Sequence, residues 1–317
     1  MKSTGKNTSP HTTREAMLFA VYYAPRGRVR LYHTAAGISQ RHLLPTDLLI
    51  GILGLEGSGK STVIKGLFPG LELTNDDEGV NIKKAPVYDF NPDDSFSGHT
   101  FHIDARYEMA FRQKFEIAEA VKNAVSHNRR VIVEHFDLLY DVLGFNAQVL
   151  IGIGEEIIVA RPTIFGPFPG NIKAIVDKTV IYRFMAHSAE DITSHILNIE
   201  YQYDQPVIHS DVRHGFVISF SERPAIDIAE LEKKVLKIIA DDVRICSAGE
   251  DRIRIGDSVL PCTGVRTHVK SSGCIHNFRL FKEFQYDSIN DEWLLVGKVG
   301  GDELIGFDNI ISMPDKL

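Results

Sequence analysis

Cysteine is scarce: Cys246, Cys262 and Cys274 are the only three in 317 residues. Three cysteines cannot all pair within one chain, and a chain this long does not need disulfide staples. A disulfide-built scaffold is therefore disfavoured, and a reducing cytoplasm is the expected compartment. Long apolar runs are also missing, since none approaches the roughly 18–20 residues of a membrane-spanning helix. The segment AMLFAVYYA (16–24) imitates the core of a signal peptide. Glu15 before it and PRGRVR after it oppose that reading, so it is expected to be a buried strand. Positive charge is not in excess: 35 Lys and Arg stand against 42 Asp and Glu, a net −7. An acidic chain is a poor general binder of nucleic acid, so RNA contact would need a local basic patch. RGRVR (26–30) and RTHVK (266–270) are the candidates, and both read equally well as solvated surface. There is no internal repeat, no low-complexity tract and no NKxD motif to select guanine.

What is present is ordinary globular material: 44% apolar and 24% charged residues, enough for a sizeable core. The length suits two domains. Residues 1–14 are polar and aperiodic, and read as a flexible tail. AMLFAVYYAPRGRVRLYHTA then predicts two strands around a Pro-Arg-Gly turn. DLLIGILG is an apolar run ending in glycines, which suits a strand buried on both faces, and KSTVIKGLF predicts a helix. GLELTNDDEG predicts a second strand with an acidic turn. DARYEMAFRQKFEIAEAVKNAVSHN predicts one long helix with Met109, Phe115, Ala118 and Val121 on its apolar face. RRVIVEHFDLL and EEIIVARPTIFG add two more strands. Alternation of this kind predicts an α/β fold: a P-loop-type parallel, doubly wound sheet over about 45–175, within a unit of 15–175 that includes N-terminal strands 15–45. After FGPFPGN the pattern changes. A helix, the strand VRHGFVISF, the helix DIAELEKKV capped by Asp227, and a closing β-meander predict an α+β domain over 176–317.

The strongest local signal is Gly54-Leu-Glu56-Gly57-Ser58-Gly59-Lys60-Ser61, which matches G-x-x-x-x-G-K-[ST] without a gap, with Thr62 following. Glycines at this spacing let successive backbone N–H groups turn inward as an anion nest, and the following helix aims its positive end at the phosphates. Lys60 is expected to reach the β- and γ-phosphates and Ser61 to hold Mg²⁺. Phosphoryl transfer also needs a carboxylate near the metal. Glu134, at the end of RVIVE, is the candidate, with Asp137 as its rival. Asp76 and Asp77 are candidates for taking a proton from a substrate hydroxyl, although their turn also reads as a solvated loop. GHTFHIDARYE gathers His99, His102, Asp104 and Arg106. Arg106 is read either as a phosphate or substrate contact or as a structural ion pair.

On GLEGSGKST, NDDEG and VIVEHFD, this half resembles P-loop kinases of the nucleoside-kinase and phosphoribulokinase type. The resemblance implies ATP with Mg²⁺ and a phosphoryl acceptor.

In the second half, His187 and Asp191 stand at i and i+4 on one helix face, and Cys262 and His268 lie in the loop PCTGVRTHV. Together they would make a tetrahedral N/O/S set suited to Zn²⁺, with His195 able to replace one member. Each also reads as an ordinary packed or hydrogen-bonded core residue. IGDSVLPCTGVRTHVKSSGCI and HSAEDIT resemble the second additional domain of alanyl- and threonyl-tRNA synthetases, shared with free-standing alanyl-tRNA editing proteins, over about 180–300. Two departures stand out: the family spaces Cys and His as C-x₃-H where this chain has C-x₅-H, and Asp191 replaces a histidine. The resemblance implies an aminoacyl group or aminoacyl-tRNA as partner.

Three functions follow as expectations. They are an ATP-dependent phosphotransferase or ATPase whose second domain recognises substrate, a metal-dependent editing hydrolase gated by nucleotide, and a nucleotide-switched binding protein.

Overall fold

The computed structural model describes residues 19–73, 85–91, 98–203, 207–209 and 212–301. The expected tail at 1–14 and the candidate residues Asp76 and Asp77 lie outside the described residues.

The first sheet has six strands: β1 Phe19–Tyr23, β2 Leu49–Leu53, β3 Thr100–Asp104, β4 Arg130–Glu134, β5 Val149–Ile153 and β6 Glu156–Ala160. Their order is β1-β6-β5-β2-β4-β3. β2 is fully buried between β4 and β5 and parallel to both, and β3 extends the parallel run beyond β4. β6 returns antiparallel to β5, and β1 is antiparallel to β6. The expected all-parallel sheet is thus corrected to a mixed one. Only Gly154 and Glu155 separate β5 from β6. Two residues close a hairpin, whereas a parallel crossover needs a dozen or more.

Three further readings change. RVRLYHTA is not a strand but opens the helix α1, Arg28–His42. Its buried residues Leu31, Ala35 and Ile38 recur at helical spacing, and period 3.6 overrides the β-branched and aromatic content nearby. Leu71–Leu73 carry no strand, and among the described residues the next strand after the glycine loop is β3, from GHTFHID. The expected long helix is broken into α3 Ala105–Glu108 and α4 Lys114–Ser126, where Glu116 Oε2 accepts from the Gln113 N–H at 2.9 Å and starts a new helix. Phe115 is consequently 60% exposed, while Ile117, Ala118, Val121 and Ala124 face the core.

α2, Lys60–Leu67, follows β2, and β4 leads into the short helix α5, Tyr140–Leu143. α6 is a single helix of 33 residues, Pro169–Tyr201. Ile172, Ile175 and Val176 pack into the first core, and Met185, Ala189, Ile192 and Ile196 into the second. The expected boundary at 175/176 falls inside this helix. Beyond it lie β7 Val207–His209, β8 Gly215–Phe220 and α7 Ile228–Ala240, whose cap Asp227 accepts from the N–H groups of Ala229 and Glu230. β9 Ile245–Ser247, β10 Arg252–Ile255 and β11 Ser258–Pro261 form one small antiparallel sheet. β12 Arg279–Leu280, β13 Gln285–Asp287 and β14 Glu292–Lys298 join β8 and β7 in another. Among the described residues no helix is long and apolar enough to cross a membrane.

Candidate functional site

The parallel strands β2, β4 and β3 end side by side, and in sheets of this kind ligands lie beyond the carboxyl ends of the strands. At that edge β2 gives way to the glycine loop. Gly57 and Gly59 take φ of +76° and +91°, a left-handed region that side chains strain to reach, and Gly59 is the cap of α2. The N-terminal N–H groups of α2 are left pointing into the space where an anion would sit. Lys60 is buried, donates to Leu55 O at 3.1 Å, and stands 3.9 Å from Glu134 Oε2. Ser61 and Thr62 line the same space, and Glu56 forms an ion pair with Arg106 across its mouth. Of the two readings of Arg106, the structural pair is present, made to the loop itself.

Asp104 and Glu134 are register partners at the ends of β3 and β4. Asp104, Glu134 and His135 each bring one potential ligand atom to within 4.8 Å of the others. His102 Nε2 lies 3.1 Å from Glu134 Oε1 and fixes that carboxylate from behind. His135 is pushed down to about 4, first by burial and then by the charge of Lys60, so its ring is neutral at pH 7. Glu134 thus stands where the spacing of RVIVE placed it. Asp137 belongs instead to the short turn Phe136–Leu138 and does not line the cavity. Asp104 was visible in the sequence only as one of a group. Its signal was FHID, a second apolar strand ending in a carboxylate, like VIVE.

The second cluster is built by α6 and the loop after β11. His187 Nε2, Asp191 Oδ2, Cys262 Sγ and His268 Nε2 converge, with all four donors within 4.8 Å of one another. Sulfur lies 3.6 Å from His187 and 3.9 Å from His268. Asp191 lies 2.9 Å from His268 and 4.0 Å from His187. A tetrahedral ion with bonds of about 2.0–2.3 Å needs donor separations of roughly 3.3–3.8 Å, so the set fits with small adjustments. The tautomer of His187 follows from its neighbours. The Thr267 hydroxyl donates to Gly264 O at 2.7 Å, so it can only accept from His187 Nδ1–H, 2.6 Å away. The free lone pair of Nε2 then faces the other donors. His187 is held well below its usual range by burial and then by His268, which keeps the imidazole uncharged. Burial, with Asp191 next, pushes the Cys262 thiol up to about 12, and a bound cation would have to expel that proton. His195 is not part of the set, because its Nε2 meets Ser258 Oγ at 3.1 Å. The C-x₅-H spacing is accommodated by the turn at Gly264–Thr267, closed by Thr267 N–H donating to Gly264 O at 2.9 Å.

The first cluster opens into a cavity of about 940 Å³, whose wall includes Lys60, Ser61, Asp104, Glu134 and Arg266, and His268 alone of the second cluster reaches that wall. Sequence reasoning missed what joins them. Arg183, buried on α6 one turn before His187, donates to Ser58 O and Pro25 O, each at 2.6 Å. Burial and then Arg26 lower it to about 9, still charged at pH 7. Arg26 pairs with buried Glu190 at 2.8 Å and donates to Gly215 O at 3.0 Å. Arg183 gave no signal in the sequence, and Arg26 was read there only as part of the candidate basic patch RGRVR, whereas it is buried and paired with Glu190. No family model matches this chain, and no curated protein matches it.

Proposed function

We propose that the chain is a cytoplasmic, ATP-dependent phosphotransferase or ATPase, with a zinc-type centre in the wall of its nucleotide cavity. The observation that carries this reading is the register of Asp104 with Glu134 beside Lys60, at the strand ends that open into the space faced by His268. In this reading the loop from Gly54 to Thr62 and Lys60 hold the triphosphate, while Ser61 and Glu134 hold Mg²⁺. Magnesium, when bound, supplies neutralisation of phosphate charge. The acceptor oxygen attacks the γ-phosphorus, the bond to the bridging oxygen breaks, and ADP leaves with its electron pair. Asp104 receives the acceptor proton. His187, Asp191, Cys262 and His268 would hold Zn²⁺, which contributes shape to the cavity wall. Four protein donors complete a tetrahedron, the pattern of structural rather than catalytic zinc.

The second reading, hydrolysis of an aminoacyl-tRNA ester gated by nucleotide, is favoured by the placement of His268 on the cavity wall. It needs a coordination position for water, which Asp191 would have to vacate. Calorimetry with Mg-ATP tests the first reading. Lys60→Ala is expected to weaken binding at least about 100-fold, because it removes the cation of the phosphate cradle. Unchanged affinity in that variant, with unchanged zinc content, would leave the glycine loop an ordinary turn. Release of an amino acid from charged tRNA, abolished by a chelator and modulated by nucleotide in wild type but not in Lys60→Ala, would favour the second.

A further inference from the structure

The metal loop does more than close a tetrahedron. Between its two donors, Cys262 and His268, it carries Arg266, an exposed residue on the cavity wall. The Arg266 backbone is pressed against the glycine loop: a Cβ added to Gly57 would stand 2.7 Å from Arg266 O. The loop is held at both ends. Arg28 N–H donates to Thr263 O at 3.2 Å, and Val269 N–H donates to Ser188 Oγ on α6 at 3.1 Å. The turn at Gly264–Thr267 aims the segment across the mouth of the nest, where Gly57, Gly59, Lys60, Ser61 and Thr62 share the wall with Arg266. Arg26 and Arg183 are nearer the interior but are buried in structural bonds to Glu190 and to backbone carbonyls. A guanidinium on the wall of the cavity into which a phosphate nest opens has a recognised use: it meets the charge that spreads over the transferred phosphoryl oxygens.

Resting on the phosphotransferase reading above, we propose that Arg266 is a catalytic residue that stabilises the γ-phosphoryl group in flight, and that the four-donor centre serves to hold its loop against the nest. The bond changes are those already written: acceptor oxygen to γ-phosphorus formed, bridging bond broken toward ADP, proton to Asp104. Arg266 gives and takes no proton, and contributes N–H donors and charge. Arg266 is itself exposed although its loop is mostly buried, so truncation of the side chain leaves the core intact.

The test needs no knowledge of the acceptor. Full-length protein loaded with zinc is titrated with Mg-ADP, alone and with aluminium fluoride, a mimic of the phosphoryl group in transfer. Arg266→Ala should keep its zinc and bind Mg-ADP within about threefold, yet lose roughly 100-fold or more of the extra affinity conferred by aluminium fluoride. Arg266→Lys should recover only part of it, lacking the forked donors. Wild-type protein stripped of zinc should lose the same increment, and stripping Arg266→Ala should lose nothing further. An Arg266→Ala protein that traps ADP–aluminium fluoride like wild type overturns the assignment, as does a wild type in which aluminium fluoride adds nothing. A zinc-stripped wild type that still traps it overturns the role given to the metal. Failure of wild type to bind Mg-ADP at all would instead sink the phosphotransferase reading, and this inference with it.

Discussion

Gly57→Ala should disturb two sites with one methyl group. Gly57 sits at φ +76°, where an L residue pays about 1 kcal/mol. Its new Cβ would also meet Arg266 O at 2.7 Å, well inside van der Waals contact, and that neighbour is backbone, not a side chain that can swing away. Relieving such an overlap costs about 1–3 kcal/mol. The total of about 2–4 kcal/mol has to be taken up by the glycine loop, by the metal loop, or by both. Each kilocalorie taken up locally lowers affinity there about fivefold, so Mg-ATP and zinc should both bind more weakly, by roughly 25-fold or more between them. Gly59→Ala is the control. Its φ of +91° imposes a similar backbone cost, but its Cβ would meet Leu31 Cδ2, the end of a side chain on α1, and not the backbone of the loop that carries Cys262 and His268. That variant should weaken nucleotide while leaving zinc unchanged. The assay is a pair of titrations on each purified protein: Mg-ATP by calorimetry, and zinc by competition with a chromogenic chelator. Two results would refute the reasoning: zinc affinity in Gly57→Ala equal to wild type, or an equal zinc loss in Gly59→Ala. Either would mean that the contact between the loops does not transmit strain.

Other outcomes follow from the same geometry. Glu134→Gln should retain nucleotide but lose most turnover, and Asp137→Asn should leave turnover near wild type; a reversal of the two would move the metal-shell carboxylate by three positions. Cys262→Ser should lower zinc content from one ion per chain and raise the zinc dissociation constant at least about 10-fold, read by elemental analysis and chelator competition. Glu155 is raised to about 7 by burial, with its Oε1 accepting from the His214 N–H at 2.6 Å. The folded protein therefore binds a proton there that an unfolded carboxylate, near 4.5, releases. The stability this contributes is complete below about 4.5 and is lost as pH rises through 7, by about 3 kcal/mol at most. Urea unfolding of wild type and Glu155→Gln from pH 5 to 8.5 should show the difference between the two proteins shifting by that amount and sign; a flat difference refutes it.

The glycine loop, the carboxylate at the end of VIVE and the four donors His187, Asp191, Cys262 and His268 were legible in the chain as written. The first two and the His187–Asp191 pair depend on local spacing: a gapless motif after an apolar strand, a strand ending in Glu, and an i, i+4 pair on a helix; Cys262 and His268 were joined to that pair through the resemblance of PCTGVRTHV to the synthetase domain. The helix at 228–240 was legible for the same reason, through its Asp227 cap. The direction of β6 was not, because an apolar run reads alike in parallel and antiparallel pairing, and the two-residue connection at Gly154–Glu155 becomes informative only once β5 is known to precede it. Nor was α1, where strand-forming residues outvoted a helical period that burial then enforced. Asp104 could be paired with Glu134 only when β3 was seen to lie beside β4. The approach of the second cluster, through His268, to the cavity of the first was beyond the reach of sequence altogether. It rests on Arg183 gripping the carbonyls of Ser58 and Pro25 from the helix that also carries His187, and on Gly57 lying against Arg266. Residues more than a hundred positions apart are brought together by packing α6 across both cores, and no local period or motif records such a contact.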